Sequence, residues 1–223
     1  MPARMAAHEV NIEHIYFASC ICAAIFGWSS LARAADSAEL DDTGSIAAFK
    51  EVVVRNGPKL SLKTANKPIE LVDGHCLATS EDRNCLYRYV RYERSHRAHL
   101  VHAYYDLEYD SYLWVRDVDG RIIFVPDEPR LSPNGRRFVV VRSCEAFGSF
   151  CGVQVWNSSG PKLVWEHIPT EYALYSFGGW SDDHRVELTL TTWIDHEVAE
   201  KPATLIEDGL HRWRIEGPPE RSR

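Results

Sequence analysis

Carboxylates alternate through Asp106-Leu107-Glu108-Tyr109-Asp110, and Asp117 follows eleven residues after Asp106. Hard oxygen ligands at such short intervals suit a calcium loop. Ser111, however, stands where that loop needs a glycine, and YLWV (112–115) favours a strand, so the segment reads as a solvated hairpin loop. His99 and His102 are three residues apart, which on a strand places them on opposite faces and prevents a shared metal without a bulge. Asp182-Asp183-His184 and Asp195-His196-Glu197 offer carboxylate–imidazole pairs of the kind used in acid–base work. Neighbours on extended chain point apart, so both triplets read as surface loops. No Gly-x-Ser-x-Gly elbow, phosphate-cradling glycine loop or His-Glu-x-x-His motif occurs. No catalytic residue, cofactor or metal ligand is therefore assigned.

Aromatic rings offer another chemistry, because they stack on sugars and anchor protein partners. Six of the seven tryptophans lie beyond residue 34: Trp114, Trp156, Trp165, Trp180, Trp193 and Trp213. Trp114, Trp156, Trp165 and Trp213 fall in recurring strand segments, which assigns them to packing between sheets. Trp193 opens the polar stretch WIDHEVAEKP and is expected to be exposed. Tyr104, Tyr105, Tyr109 and Tyr112 cluster on a neighbouring hairpin, so Tyr109, Tyr112 and Trp193 form the candidate binding surface.

The chain that must position these residues opens with IYFASCICAAIF (15–26), uncharged and mostly apolar, followed by the small-residue triplet Ala32-Arg33-Ala34. That order is the layout of a secretory signal peptide cut after Ala34. The run is shorter than the ~20 residues of a membrane-spanning helix, and no later segment reaches that length. Glu9 and Glu13 are unusual in front of such a run, where Arg4 is the sole arginine or lysine, and Met5 is an alternative start. Phe17-Ala18-Ser19-Cys20 resembles a lipoprotein box but leaves almost no apolar chain ahead of the cut. The alternative of a buried N-terminal helix fits poorly with the acidic, loop-like residues 36–44. The expected location is periplasmic or secreted.

Cleavage would remove Cys20 and Cys22 and leave Cys76, Cys85, Cys144 and Cys151, an even set that in an exported chain implies two disulfides. Local pairing is expected. Cys76 and Cys85 bracket the loop LATSEDRN, and Cys144 and Cys151 stand at the mouth of a hairpin made by RFVVVRS (137–143) and GVQVW (152–156). No pair has the spacing of a four-cysteine zinc site. Asn157-Ser158-Ser159 satisfies the glycosylation sequon, which matters only on a eukaryotic secretory route.

A composition of 45% hydrophobic and 26% charged residues can bury a core, which excludes disorder for most of the chain. A net charge of -7 provides no basic field for a polyphosphate backbone, so nucleic acid is excluded as an expected partner. From residue 49 onward, β-branched and aromatic runs alternate with turn signals. No segment keeps a helical period, so no substantial helix is expected there. HLVHAYY (99–105), RFVVVRS (137–143) and RVELTLT (185–191) each open a unit. Each continues through YLWV, VQVW or ATLI, turns at Asp119-Gly120, Ser159-Gly160 or Asp208-Gly209, and closes with RIIFV, PKLVW or HRWRI. Spacings of about 40 and then about 50 residues suit propeller blades. A fourth strand per unit lies upstream at 86–93, 129–132 and 174–180.

Leu131-Ser132-Pro133-Asn134-Gly135-Arg136-Arg137, leading into FVVV, resembles the Ser-Pro-Asp-Gly turn of TolB-type WD40-like repeats. Gly179-Trp180-Ser181-Asp182-Asp183-His184-Arg185-Val186 resembles a degenerate copy of it. The resemblance covers residues 86–215. It implies four-stranded antiparallel blades and a role in envelope protein contacts; it transfers no catalytic residue, because the motif residues make turns. The expected architecture is an all-β, propeller-like array of three four-stranded sheets preceded by a three-stranded sheet, with a β-sandwich as the alternative. Residues 1–34 are expected to be the signal peptide, 35–48 a flexible segment, 49–216 one domain and 217–223 a disordered tail. The expected function is that of an exported, non-enzymatic module binding an envelope protein or extracellular ligand. The alternative is a hydrolase of envelope polymers or glycans on which Asp106, Glu108, His184 and His196 converge.

Overall fold

Turn residues cut the chain into short runs, and each run pairs with its neighbour in sequence. The computed structural model describes residues 41–77, 85–105, 109–143, 150–170, 173–194 and 197–218, within a unit that begins at Asp41. The first sheet is formed by β1 (Val53–Asn56), β2 (Lys59–Leu62) and β3 (Ile69–Val72). The second is β4 (Cys85–Glu93), β5 (Ala98–Tyr105), β6 (Tyr109–Arg116) and β7 (Ile122–Val125). The third is β8 (Arg130–Leu131), β9 (Arg137–Arg142), β10 (Gly152–Asn157) and β11 (Lys162–His167). The fourth is β12 (Ala173–Asp182), β13 (Arg185–Ile194), β14 (Glu197–Glu207) and β15 (Trp213–Glu216). Every sheet is an antiparallel meander, and the array of three-, four-, four- and four-stranded sheets agrees with the sequence pattern; the two sheets of a sandwich are not found.

Three clusters of buried side chains lie between successive sheets. Val53, Leu60, Leu62 and Leu71 of the first sheet share a cluster with Tyr87, Tyr89, Val101 and Leu113 of the second. Leu100 and Trp114, on the other face of the second, share one with Phe138 and Val140 of the third. Val139, Val153 and Val155 join Tyr175, Val186, Leu188 and Leu205 of the fourth. Among the described residues no cluster joins the first sheet to the fourth, so the sheets form an open row. The strand patterns encode this order. The inner strands β5 and β9 are buried on both faces and read as near-continuous apolar runs. In the terminal sheet, by contrast, Val186, Leu188 and Leu190 point inward, and Glu187, Thr189 and Thr191 point to the uncovered face.

Aromatic rings bind the middle of the row. Trp114 stacks on Phe138 with centroids 5.4 Å apart, and Phe138 stacks on Trp156 at 5.8 Å. The Ser-Pro-Asn-Gly segment makes the β8–β9 turn. Asn134 Oδ1 accepts the Arg136 N–H at 2.8 Å, and Gly135 adopts φ 69°, where a side chain would also crowd His96. Gly152 has an even stricter requirement: a Cβ there would stand 2.1 Å from the His167 carbonyl oxygen.

Two local elements differ from the sequence expectation. Residues 43–48 form a short helix, α1 (Thr43–Ala48), where a flexible segment is expected, and the first strand starts at Val53, not at residue 49. The cause is tertiary. The buried Asp42 carboxylate accepts Arg55 Nη2 at 2.9 Å and the Tyr89 backbone N–H at 3.0 Å, which fixes the chain before the helix. Likewise β13 and β14 extend to Ile194 and from Glu197, through a stretch that reads as a polar loop. Since β15 pairs only with Thr204 to Glu207, residues 197–203 have no ladder partner besides β13 among the described residues, and charges and Pro202 are tolerated along this edge.

Cys76 and Cys85 form a disulfide across nine residues of sequence, which stabilises by about 2.5 kcal/mol through restriction of the unfolded chain. Cys151 is also disulfide-bonded; Cys144, its expected partner, lies outside the described residues, as do residues 1–40. No helix among the described residues is long and apolar enough to cross a membrane.

Candidate docking site

The meander places alternate turns at opposite rims of the row. At one rim the β4–β5, β8–β9 and β12–β13 turns are tied together: His96 Nε2 donates to the Gly135 carbonyl at 2.6 Å, and the Asn134 N–H donates to Asp183 Oδ1 at 2.7 Å. His184 belongs to this rim. Its Nδ1 donates to Glu207 Oε2 at 2.7 Å, and His211 Nδ1 donates to Oε1 of the same carboxylate at 3.1 Å. Burial pushes the Glu207 carboxyl up, but these two hydrogen bonds and the Arg137 charge outweigh it and hold the group below its ordinary value.

The other rim holds Tyr112. It lies opposite His102 in the β5–β6 ladder, and the rings stack at 4.3 Å with Tyr104 against His102 at 4.0 Å. His102 Nε2 donates to Asp110 Oδ2 at 2.7 Å, and Arg142 of the third sheet donates to Asp110 Oδ1 at 2.6 Å. The His102 hydrogen bond, with the Arg142 charge, holds the Asp110 carboxyl below its ordinary value despite burial. Burial pushes the Tyr112 hydroxyl up. Asp110 is thus held by the Arg142 guanidinium and the His102 imidazole of its own chain, and the cluster braces the second sheet against the third. Asp117 lies beyond the far end of β6, where its Oδ2 accepts the Tyr92 hydroxyl at 2.8 Å, so these two carboxylates of the calcium-like pattern do not share a site. Asp106, Glu108 and His196 lie outside the described residues, as does the side chain of Tyr109, which opens β6.

Asp127 adjoins this cluster, and burial pushes its carboxyl up. A carboxyl whose folded pKa is raised contributes stability while protonated and loses it as pH rises through the folded pKa. Asp127→Asn keeps the acceptor for the Glu128 N–H and removes the charge. It is therefore expected to raise Tm at pH 7 and to leave Tm unchanged near pH 3, which differential scanning calorimetry at the two pH values will read.

Trp193 and Tyr112 are not brought together: Tyr112 faces the third sheet, whereas Trp193 stands on the uncovered face of the fourth. There Trp193 lies directly opposite Val198, and the two are 38% and 60% exposed. The β14 side of this pair is the open edge at residues 197–203. Thr191 and Glu200 form the next cross-strand pair, so the face carries Trp193-Val198 and then Thr191-Glu200 in successive rows. On the opposite face of the edge, Glu197, Ala199 and Lys201 alternate with them. Glu197, Glu200 and Lys201 are exposed, and none forms an ion pair among the described residues.

A groove of about 400 Å³ runs between the outer strands of the third and fourth sheets, lined by Trp165, His167, Tyr175, Trp213 and Ile215. Trp165 and His167 reach it because they pair with Val155 and Val153, whose side chains face the fourth sheet. The β11 edge beside it exposes Leu163 and Val164, but a bulge there breaks the ladder and limits strand addition. The edge of the fourth sheet has no such bulge in its pairing with β13.

The sequence singled out Trp193 but not Val198, whose signal was one branched apolar side chain between Glu197 and Glu200. Arg142 and Asp127 carried no local signal, since their roles arise from contact between sheets. In comparisons with known families, curated proteins and solved structures, nothing matches the chain.

Proposed function

We propose that the protein is an exported, non-enzymatic protein-binding module of the cell envelope, with the open edge of the fourth sheet as its docking surface. The observation that carries this reading is the exposed Trp193–Val198 pair beside a strand edge that has no second ladder partner among the described residues. Large aromatic side chains next to free main-chain groups are what a docking strand uses: the backbone supplies affinity and the ring supplies the anchor. The signal-peptide layout of residues 1–34, the Cys76–Cys85 disulfide and the resemblance of the Ser-Pro-Asn-Gly turn to TolB-type repeats support an envelope setting.

Crosslinking in an envelope fraction tests the reading. A defined crosslinked species is expected from the unaltered protein, and Trp193→Ala or Val198→Lys is expected to abolish it while Val164→Lys, on the bulged edge, leaves it in place. Loss of the species in none of these variants, or its absence from the start, defeats the proposal.

A further inference from the structure

The open edge is complementary to itself. Residues 197–201 read Glu-Val-Ala-Glu-Lys, with Glu197, Ala199 and Lys201 on one face and Val198 and Glu200 on the other. Two copies of this edge, set antiparallel about Ala199, place Glu197 of each opposite Lys201 of the other on one face, with only the two small Ala199 side chains between them. On the other face Val198 of each copy meets Glu200 of the other. Each exposed Trp193–Val198 pair is thereby continued across the junction, because Val198 is flanked by Trp193 on one side and the partner strand on the other. We infer that the occupant of this edge is a second copy of this chain, joined about a two-fold axis into one continuous antiparallel sheet; the inference rests on the docking reading above.

Three charges on a five-residue edge repel most strands that approach it. The antiparallel copy answers two of these charges, because Glu197 and Lys201 pair at both ends of the junction while Glu200 lies beside Val198 at its exposed margin. The contact is isologous, so it closes at two copies and leaves none of this β14 edge for a third. It is also short, since β15 occupies the edge from Thr204 onward. Interfaces of this size associate weakly and reversibly.

Sedimentation equilibrium of the purified protein is expected to show a weight-average mass that rises toward twice that of one chain between about 10 μM and about 500 μM. Lys201→Glu sets Glu against Glu at both ends of the junction and is expected to weaken dimerisation at least about tenfold. The double variant Glu197→Lys with Lys201→Glu restores opposite charges and is expected to recover the unaltered affinity. Both positions are exposed, so circular dichroism should not change. A single-chain mass at every concentration overturns the inference, and if Trp193→Ala still abolishes a crosslink to another protein, the docking reading survives that result. A dimer indifferent to Lys201→Glu, or one that the double variant fails to rescue, overturns it equally.

Discussion

Trp114→Ala is expected to lower the unfolding free energy by about 4 kcal/mol, measured by urea denaturation. Among the described residues Trp114 is the largest fully buried side chain, and it sits where the second sheet meets the third. Its ring lies at 16° to Phe138, which in turn lies at 10° to Trp156, so one truncation removes the first ring of a three-ring stack. The neighbours are strand residues held by ladders on both sides and cannot collapse into the space. The loss therefore includes a cavity as well as transfer of the ring to water. Trp114→Phe keeps a ring against Phe138 and is expected to lose less than half as much. A loss below about 1.5 kcal/mol for the alanine variant would place the main adhesion of the row elsewhere.

Asp42→Ala is expected to cost about 3 kcal/mol, for a different reason. The carboxylate accepts Arg55 Nε at 3.1 Å and Nη2 at 2.9 Å as well as the Tyr89 N–H. Its removal strands a backbone donor in a buried site and leaves the Arg55 guanidinium, itself mostly buried, with Asp73 as its remaining carboxylate, at 3.1 Å. Buried donors without acceptors lose their hydration without compensation. Asp42→Asn keeps an acceptor for Tyr89 and is expected to fall between the two proteins. Replacing Asp42 and Arg55 together should cost less than the sum of the single changes, because each single change already counts the loss of their shared ion pair.

Much of the fold was legible because it depends on local signals. Turn residues mark where hairpins reverse, and the β-branched runs between them pair with their nearest neighbours, so the strands of HLVHAYY, RFVVVRS and RVELTLT were placed nearly as found. What sequence could not supply was anything decided by contact between distant segments. Residues 43–48 are helical because Asp42 meets Arg55 and Tyr89, and neither partner is visible from the helix. Residues 197–202 read as a loop because their charges suit solvent; they are a strand because β13 pairs with them along their whole length, and their charges are tolerated because that strand is an edge. The docking site was half legible. Trp193 stood out as an aromatic residue in polar surroundings, whereas its neighbour Val198 mattered only once the register was known. Tyr112 stands out in the sequence through its clustering with Tyr104, Tyr105 and Tyr109, yet its ring packs on His102 within the junction of two sheets.

The open row of sheets has a consequence for how such a chain can change length. In a closed ring, adding or deleting one blade alters the angle at every junction, so the number of blades is locked by geometry. In this row each junction involves only two successive sheets, and the last sheet already turns Glu187, Thr189 and Thr191 to water. A duplication would need to re-tune one junction and leave the others untouched. The number of sheets is then a property that inheritance can vary one unit at a time.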